Sequence, residues 1–200
     1  MRKLAFITFL LVGAISMIVM SYHYFELDST GVLERKEVAE ELWYLFTFRT
    51  HILLGLVAIS SGPFQFLEKV WVSYKSIHKR IGYVYVSSVI ISSVSGLVIA
   101  QYAMGGWIST MGFSLLSVAW LFITIKSIIS IRTGKINSHQ KWMFLSYSLT
   151  FAAITQRTLL LVPLLTEVPF IPIYRLSAWL PWLLNLNIAY FLFSRYSSET

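Results

Sequence analysis

Three of the four histidines accompany long apolar segments, where an imidazole could do chemistry inside a membrane. His78 and His139 each come just before such a segment, and His51 lies near the start of another. Each histidine shares a helical face with small or hydroxyl residues. Two neutral imidazoles at equal depth on facing helices can hold a b-type haem. The pattern therefore favours His78 and His139 as ligands of a haem iron.

The stretch from His139 to Arg157 shows the expected helix most clearly. Its end residues are 18 positions apart, which is five turns of an α-helix, so they lie on one face. Trp142, Ser146 and Thr150 lie on that face as well. A helix that collects its polar and small residues on one side faces other helices or a cavity rather than lipid.

The composition indicates an integral membrane protein that has the lipid bilayer as its main partner. The 200 residues are 56% hydrophobic and 12% charged, and the mean hydropathy is +0.69, whereas a soluble domain is about 25% charged. The net charge of +7 does not suggest nucleic-acid binding, because the basic residues lie in short loops between apolar segments. The absence of cysteine excludes disulfides, a thiolate nucleophile and cysteine-bound iron–sulfur clusters.

Six apolar segments are long enough to cross a bilayer. We therefore expect an all-α, six-helix transmembrane bundle that forms a single domain over residues 1–200. The predicted spans are residues 4–22, 45–67, 81–102, 110–131, 140–161 and 177–193. Residues 23–43 hold six of the nine acidic residues and are expected to form an extracytoplasmic segment with a short amphipathic helix.

Lysine and arginine concentrate at the termini and in the loops after spans two and four, so the positive-inside rule places both termini in the cytoplasm. Depth can then be assigned to the polar residues, and we expect two buried layers of them. Ionisable groups within spans are costly and are therefore functional candidates. The cytoplasmic layer contains Gln65, His78, Arg80, His139 and Trp142; the outer layer contains His51, Tyr102, Gln156 and Arg157.

Structural interpretations of the same residues remain open. The helix starts at His78 and His139 combine capping residues with cations, an arrangement that binds phospholipid phosphate or an anionic substrate. Arg157 could extend to the lipid headgroups or pair with a group inside the bundle. His51 could be a packing residue with a hydrogen bond.

Three motifs resemble those of the bacterial membrane proteins grouped as domain-of-unknown-function family 2306. They are GPFQF at residues 62–66, HKRIGYVYV at 78–86, and HQKWM with LTFAAITQR within 139–157. The resemblance covers roughly residues 49–157 and implies a bacterial inner (cytoplasmic) membrane protein. Leu145 replaces a basic residue that is common in the family, and Gln140 replaces an arginine. The family's polar positions correspond here to His51, Gln65, His78, Arg80, His139, Trp142 and Arg157.

The histidine-bearing helices are also similar to those of membrane di-haem cytochromes b. The leading hypothesis is a haem-binding membrane redox protein, in which His51 and Arg157 form an outer site for a quinone or a second cofactor. The first alternative is a non-enzymatic transporter or a lipid- or anion-binding protein that uses Arg157. The second is a scaffold that acts through a protein partner. Enzymatic activity is left open by the sequence.

Overall fold

A computed structural model describes residues 2–25, 38 and 40–198 of the chain. Six helices in these residues are long and apolar enough to cross a membrane, which confirms the all-α, six-span prediction. The protein is thus a multi-pass membrane protein whose helices contact lipid. The cytoplasmic location of both termini stays a prediction. Most of the predicted acidic segment lies outside the described residues, and its amphipathic helix stays a prediction.

The chain divides into two compact units, Met1–Ser95 and Gly96–Thr200. The predicted single domain stays a prediction. The first unit contains α1 (Arg2–Ser21), a 3₁₀ turn (Tyr22–Phe25), α2 (Leu42–Gln65), α3 (Glu68–Ser73) and α4 (Lys75–Ala100), the last of which extends five residues into the second unit. The second unit continues with α5 (Trp107–Arg132), α6 (Ile136–Leu160), α7 (Val162–Leu165), α8 (Phe170–Ser177) and α9 (Leu180–Ser198).

In the first unit, α1 packs against α2 through a regular apolar stripe. Its buried residues recur at alternating intervals of three and four: Ile7, Leu10, Ala14, Met17 and Ser21. This spacing keeps one narrow face of the helix turned toward its neighbour. The contact is extended beyond α1 by an edge-to-face pair of Tyr24 and Phe48, whose ring centroids are 5.3 Å apart.

In the second unit, α6 is the central helix and packs against α5, α8 and α9. The turn between α5 and α6 depends on Gly134, which has a φ of 74° and allows the Lys135 amide to donate to the Ser130 carbonyl at 2.9 Å. Glycine adopts this left-handed conformation without strain, so α5 ends and the chain reverses within a few residues. The reversal places the start of α6 beside the end of α5.

Candidate functional site

His139 lies in the first turn of α6, and its imidazole is held by the neighbouring helix α5. Nδ1 is 3.0 Å from the carbonyl oxygen of Ser127 and 3.1 Å from its hydroxyl. A carbonyl oxygen can only accept, so Nδ1 carries the hydrogen of this bond. In the neutral imidazole the lone pair is therefore on Nε2, the nitrogen that can bind a metal or accept a proton.

Two further hydrogen-bonded pairs continue along the same helix interface. The hydroxyls of Thr124 and Ser146 are 2.6 Å apart, and the Trp120 indole donates to the Thr150 hydroxyl at 3.0 Å. All four residues are buried. Because these contacts fix α5 against α6, they also fix the carbonyl of Ser127 relative to the ring of His139.

His51 of α2 has a closely similar environment within the first unit. Its Nδ1 is 2.8 Å from the carbonyl oxygen of Ser92 on α4 and 3.1 Å from the Ser92 hydroxyl. The Ser92 hydroxyl also donates to the backbone carbonyl of His51 at 2.9 Å. Gly55 lies one turn further along α2, where an added Cβ would lie at an ordinary contact distance of 3.7 Å from the Ser92 hydroxyl. The orientation of this ring again leaves the lone pair of the neutral imidazole on Nε2.

The third histidine, His78, lies in the first turn of α4 and is half-buried. Gly82 follows one turn later on the same face of the helix. At that glycine, an added Cβ would lie 3.5 Å from Oε1 of Gln65, the last residue of α2. The first unit therefore brings Gln65 to the face of α4 that carries His78.

Gln156 and Arg157 are half-buried near the end of α6. Nη1 of Arg157 lies 3.5 Å from the carbonyl oxygen of Ala153, one turn earlier in its own helix. On the same helix, Thr155 forms hydrogen bonds with Asn185 of α9, and the Asn185 amide also donates to the carbonyl of Ser148 at 3.2 Å. Asn185 therefore stabilises the packing of α9 on α6, as interhelical amides do in membranes.

The comparison with known families adds one finding. A family described as "Predicted membrane protein (DUF2306)" matches residues 48–193. The chain belongs to this family. Neither a curated protein nor a solved structure matches it.

Two expected members of the buried layers of this DUF2306 protein are exposed. Arg80 is exposed because it lies in the polar first turns of α4, among Lys75 and Lys79. The Tyr102 side chain is 41% exposed because it follows the end of α4, in the turn before α5. Gln65 and Trp142 are half-buried, and the Lys141 ammonium lies 5.9 Å from the Trp142 ring.

Ser127, the partner of His139, lies on the fourth span, where no site residue was expected from the sequence. Buried polar residues recur along α5 at intervals of three and four: Ser117, Trp120, Thr124, Ser127 and Ser130. This periodicity was the available signal in the sequence. Two expected combinations, His78 with His139 on one iron and His51 with Arg157 in an outer site, stay predictions. Among the described residues, no three His, Asp or Glu side chains cluster as a metal site.

Proposed function

We propose that this membrane protein binds a b-type haem, that His139 is an axial ligand, and that the haem carries electrons. The observation that supports the proposal is the bond from Nδ1 of His139 to the Ser127 carbonyl at 3.0 Å. Histidines that bind metals usually donate their second N–H to a carbonyl or carboxylate, which fixes the ring and makes the ligating nitrogen more basic. His139 has this arrangement.

The surroundings of His139 suit the rest of a haem. Arg132, Lys135 and Lys141 lie within seven residues of it on the adjoining helix ends. Cations at this level can pair with the two carboxylates that a b-type haem carries. The neighbouring stretch of α6 carries Ser146 and Thr150, whose small side chains are buried against α5.

His51 gives independent support, because the same contact occurs on another helix pair. Its Nδ1 is bonded to a backbone carbonyl at 2.8 Å, so its Nε2 is also the nitrogen with the lone pair. A single histidine with this geometry is common as a packing contact in any protein. Its repetition in both units supports the interpretation that ring orientation matters for function.

The direct test is the visible spectrum of the full-length protein purified after expression with added haem. We expect a Soret band that shifts on reduction, and at least one haem per chain. Protein that is folded, monodisperse and colourless under these conditions would rule the proposal out. His23→Ala, which changes a histidine outside the long helices, should leave the haem content unchanged.

A second candidate function is binding or transport of an anion or lipid, and it is favoured by the half-buried Arg157. A guanidinium inside a membrane span is energetically costly, so Arg157 is a candidate for binding an anionic ligand. Under this alternative, Arg157→Ala abolishes binding of the anionic solute or lipid and the purified protein is colourless. Under the haem proposal, the same variant keeps its Soret band.

A further inference from the structure

The carboxamide of Gln65 is a polar group in an unusual position. Gln65 ends α2 and is half-buried, and its Nε2 atom is enclosed without a hydrogen-bond partner among the described residues. An enclosed amide nitrogen has two N–H donors, and leaving such a donor unpaired disfavours the folded state by roughly tenfold in equilibrium constant. A donor in this position is typical of a group that binds an acceptor oxygen.

The opposite wall of this region is the face of α4 that carries Gly82. An added Cβ at Gly82 would lie 3.5 Å from Oε1 of Gln65, so the carboxamide lies directly over the glycine. His78, one turn earlier on the same face, adds a half-buried imidazole. The amide and the imidazole therefore belong to one region of the first unit.

The surface around this region selects the kind of ligand. The neighbouring side chains of Phe64 and Ile77 are 42% and 47% exposed, which is typical of a surface that contacts lipid. Lys79 and Arg80 are exposed beside His78. A ligand that reaches Gln65 along this surface must be soluble in the bilayer and must present an acceptor oxygen.

We propose that Gln65, Gly82 and His78 form a binding site for the acceptor oxygen of a lipid-soluble molecule. The Gln65 amide donates to this oxygen, and Gly82 lies against the carboxamide on the facing helix. Two sources share this chemistry: the carbonyl of a quinone, and the ester or phosphoryl oxygen of a phospholipid. The donor in this site is Gln65, which is not a proposed haem ligand, and His139 is not one of its three residues.

The test compares Gln65→Leu with the same exchange at Gln156, the half-buried glutamine of α6. Full-length protein in phosphatidylcholine nanodiscs is titrated with ubiquinone-1, and binding is followed by quenching of tryptophan fluorescence. In a second arm, the phosphatidylglycerol retained by the purified protein is counted by mass spectrometry. Loss of one neutral hydrogen bond should weaken binding about five- to tenfold.

We expect Gln65→Leu to lose affinity in one arm, which identifies the source of the oxygen, and Gln156→Leu to match the unchanged protein. Gln65→Glu keeps the side-chain shape and replaces the donor, so it should show the same loss and decides the matter if the leucine variant does not fold. Unchanged binding in both arms, or an equal loss in Gln156→Leu, overturns the proposal. His139→Ala should bind the same ligand as the unchanged protein. A failure of this binding proposal can therefore be distinguished from a failure of the haem proposal.

Discussion

The two histidine–serine pairs, His51–Ser92 in the first unit and His139–Ser127 in the second, use the same contact in different settings. In both, Nδ1 is bonded to a serine carbonyl on a neighbouring helix. In the first pair, the serine hydroxyl also donates back to the histidine carbonyl. The second pair is instead supported by the separate contacts Thr124–Ser146 and Trp120–Thr150.

In each pair, one group orients the imidazole ring and a different group stabilises the helix packing. The ring is oriented by a backbone carbonyl, which every residue type provides, so serine is not required for it. The Ser92 hydroxyl contributes to helix packing, because it is bonded to the backbone of α2. Around His139, the helices are instead held together by the Thr124–Ser146 and Trp120–Thr150 contacts.

The prediction with the greatest expected change concerns a tight helix contact at Gly112 in the second unit. An added Cβ at Gly112 would lie 2.7 Å from the carbonyl oxygen of Ala178 and 2.8 Å from Nε1 of Trp179. Gly112→Ala should therefore lower the free energy of unfolding by about 1–3 kcal/mol, since backbone must move. Unfolding in mixed micelles measures this change.

The matched control is Gly55→Ala in the first unit, where the new methyl would meet the Ser92 hydroxyl at an ordinary 3.7 Å. It should be neutral or slightly stabilising, because alanine favours a helix over glycine by up to about 1 kcal/mol. Equal destabilisation by the two variants would contradict the close packing described around Gly112.

The next effect concerns Ser92. Ser92→Ala removes a buried interhelical donor bonded at 2.9 Å, and we expect a loss of about 1 kcal/mol in the free energy of unfolding. Ser95→Ala, on the same helix, removes a hydroxyl whose only hydrogen bond among the described residues is to Ile91 of its own helix, and it should change stability little. The test is the difference in the free energy of unfolding between Ser92→Ala and Ser95→Ala, measured in the same micelles.

The smallest effect is expected for Ser127. Ser127→Ala leaves the carbonyl that holds Nδ1 of His139, so haem content should persist and stability should fall by only about 0.6 kcal/mol. Ser130→Ala provides the control, since its hydroxyl is bonded to Lys126 of its own helix. Complete loss of haem from Ser127→Ala would show that the hydroxyl, and not the carbonyl, positions the ring.

Hydropathy predicted the six spans because it reports how favourable each segment is inside a lipid bilayer. It placed the start of the third span at residue 81, whereas α4 begins at Lys75, since the polar turns around His78 are helical outside the apolar region. The short helix α8 was missed in a proline-rich stretch. Pro169 lies just before it and Pro172 in its first turn, where a missing N–H costs no helical hydrogen bond.

The candidate histidines could be named from the sequence, but their partners could not. Which serine meets a histidine depends on the rotation of one helix against another, and α5 carries several hydroxyls at the same periodicity. The third span carries several serines, Ser92 among them, and the sequence does not specify which of them contacts His51. The enclosed Nε2 of Gln65 depends on the approach of α2 to Gly82, which is a property of packing.

We propose that Nε2 of His139 binds haem iron, and a reduced-minus-oxidised difference spectrum of His139→Ala is the decisive measurement. Spectra are compared with those of unchanged protein and His23→Ala, at equal protein concentration and with folding checked by size exclusion. We predict a haem signal in unchanged protein and in His23→Ala, and its loss in folded His139→Ala. A folded His139→Ala protein with the full haem signal would contradict the account.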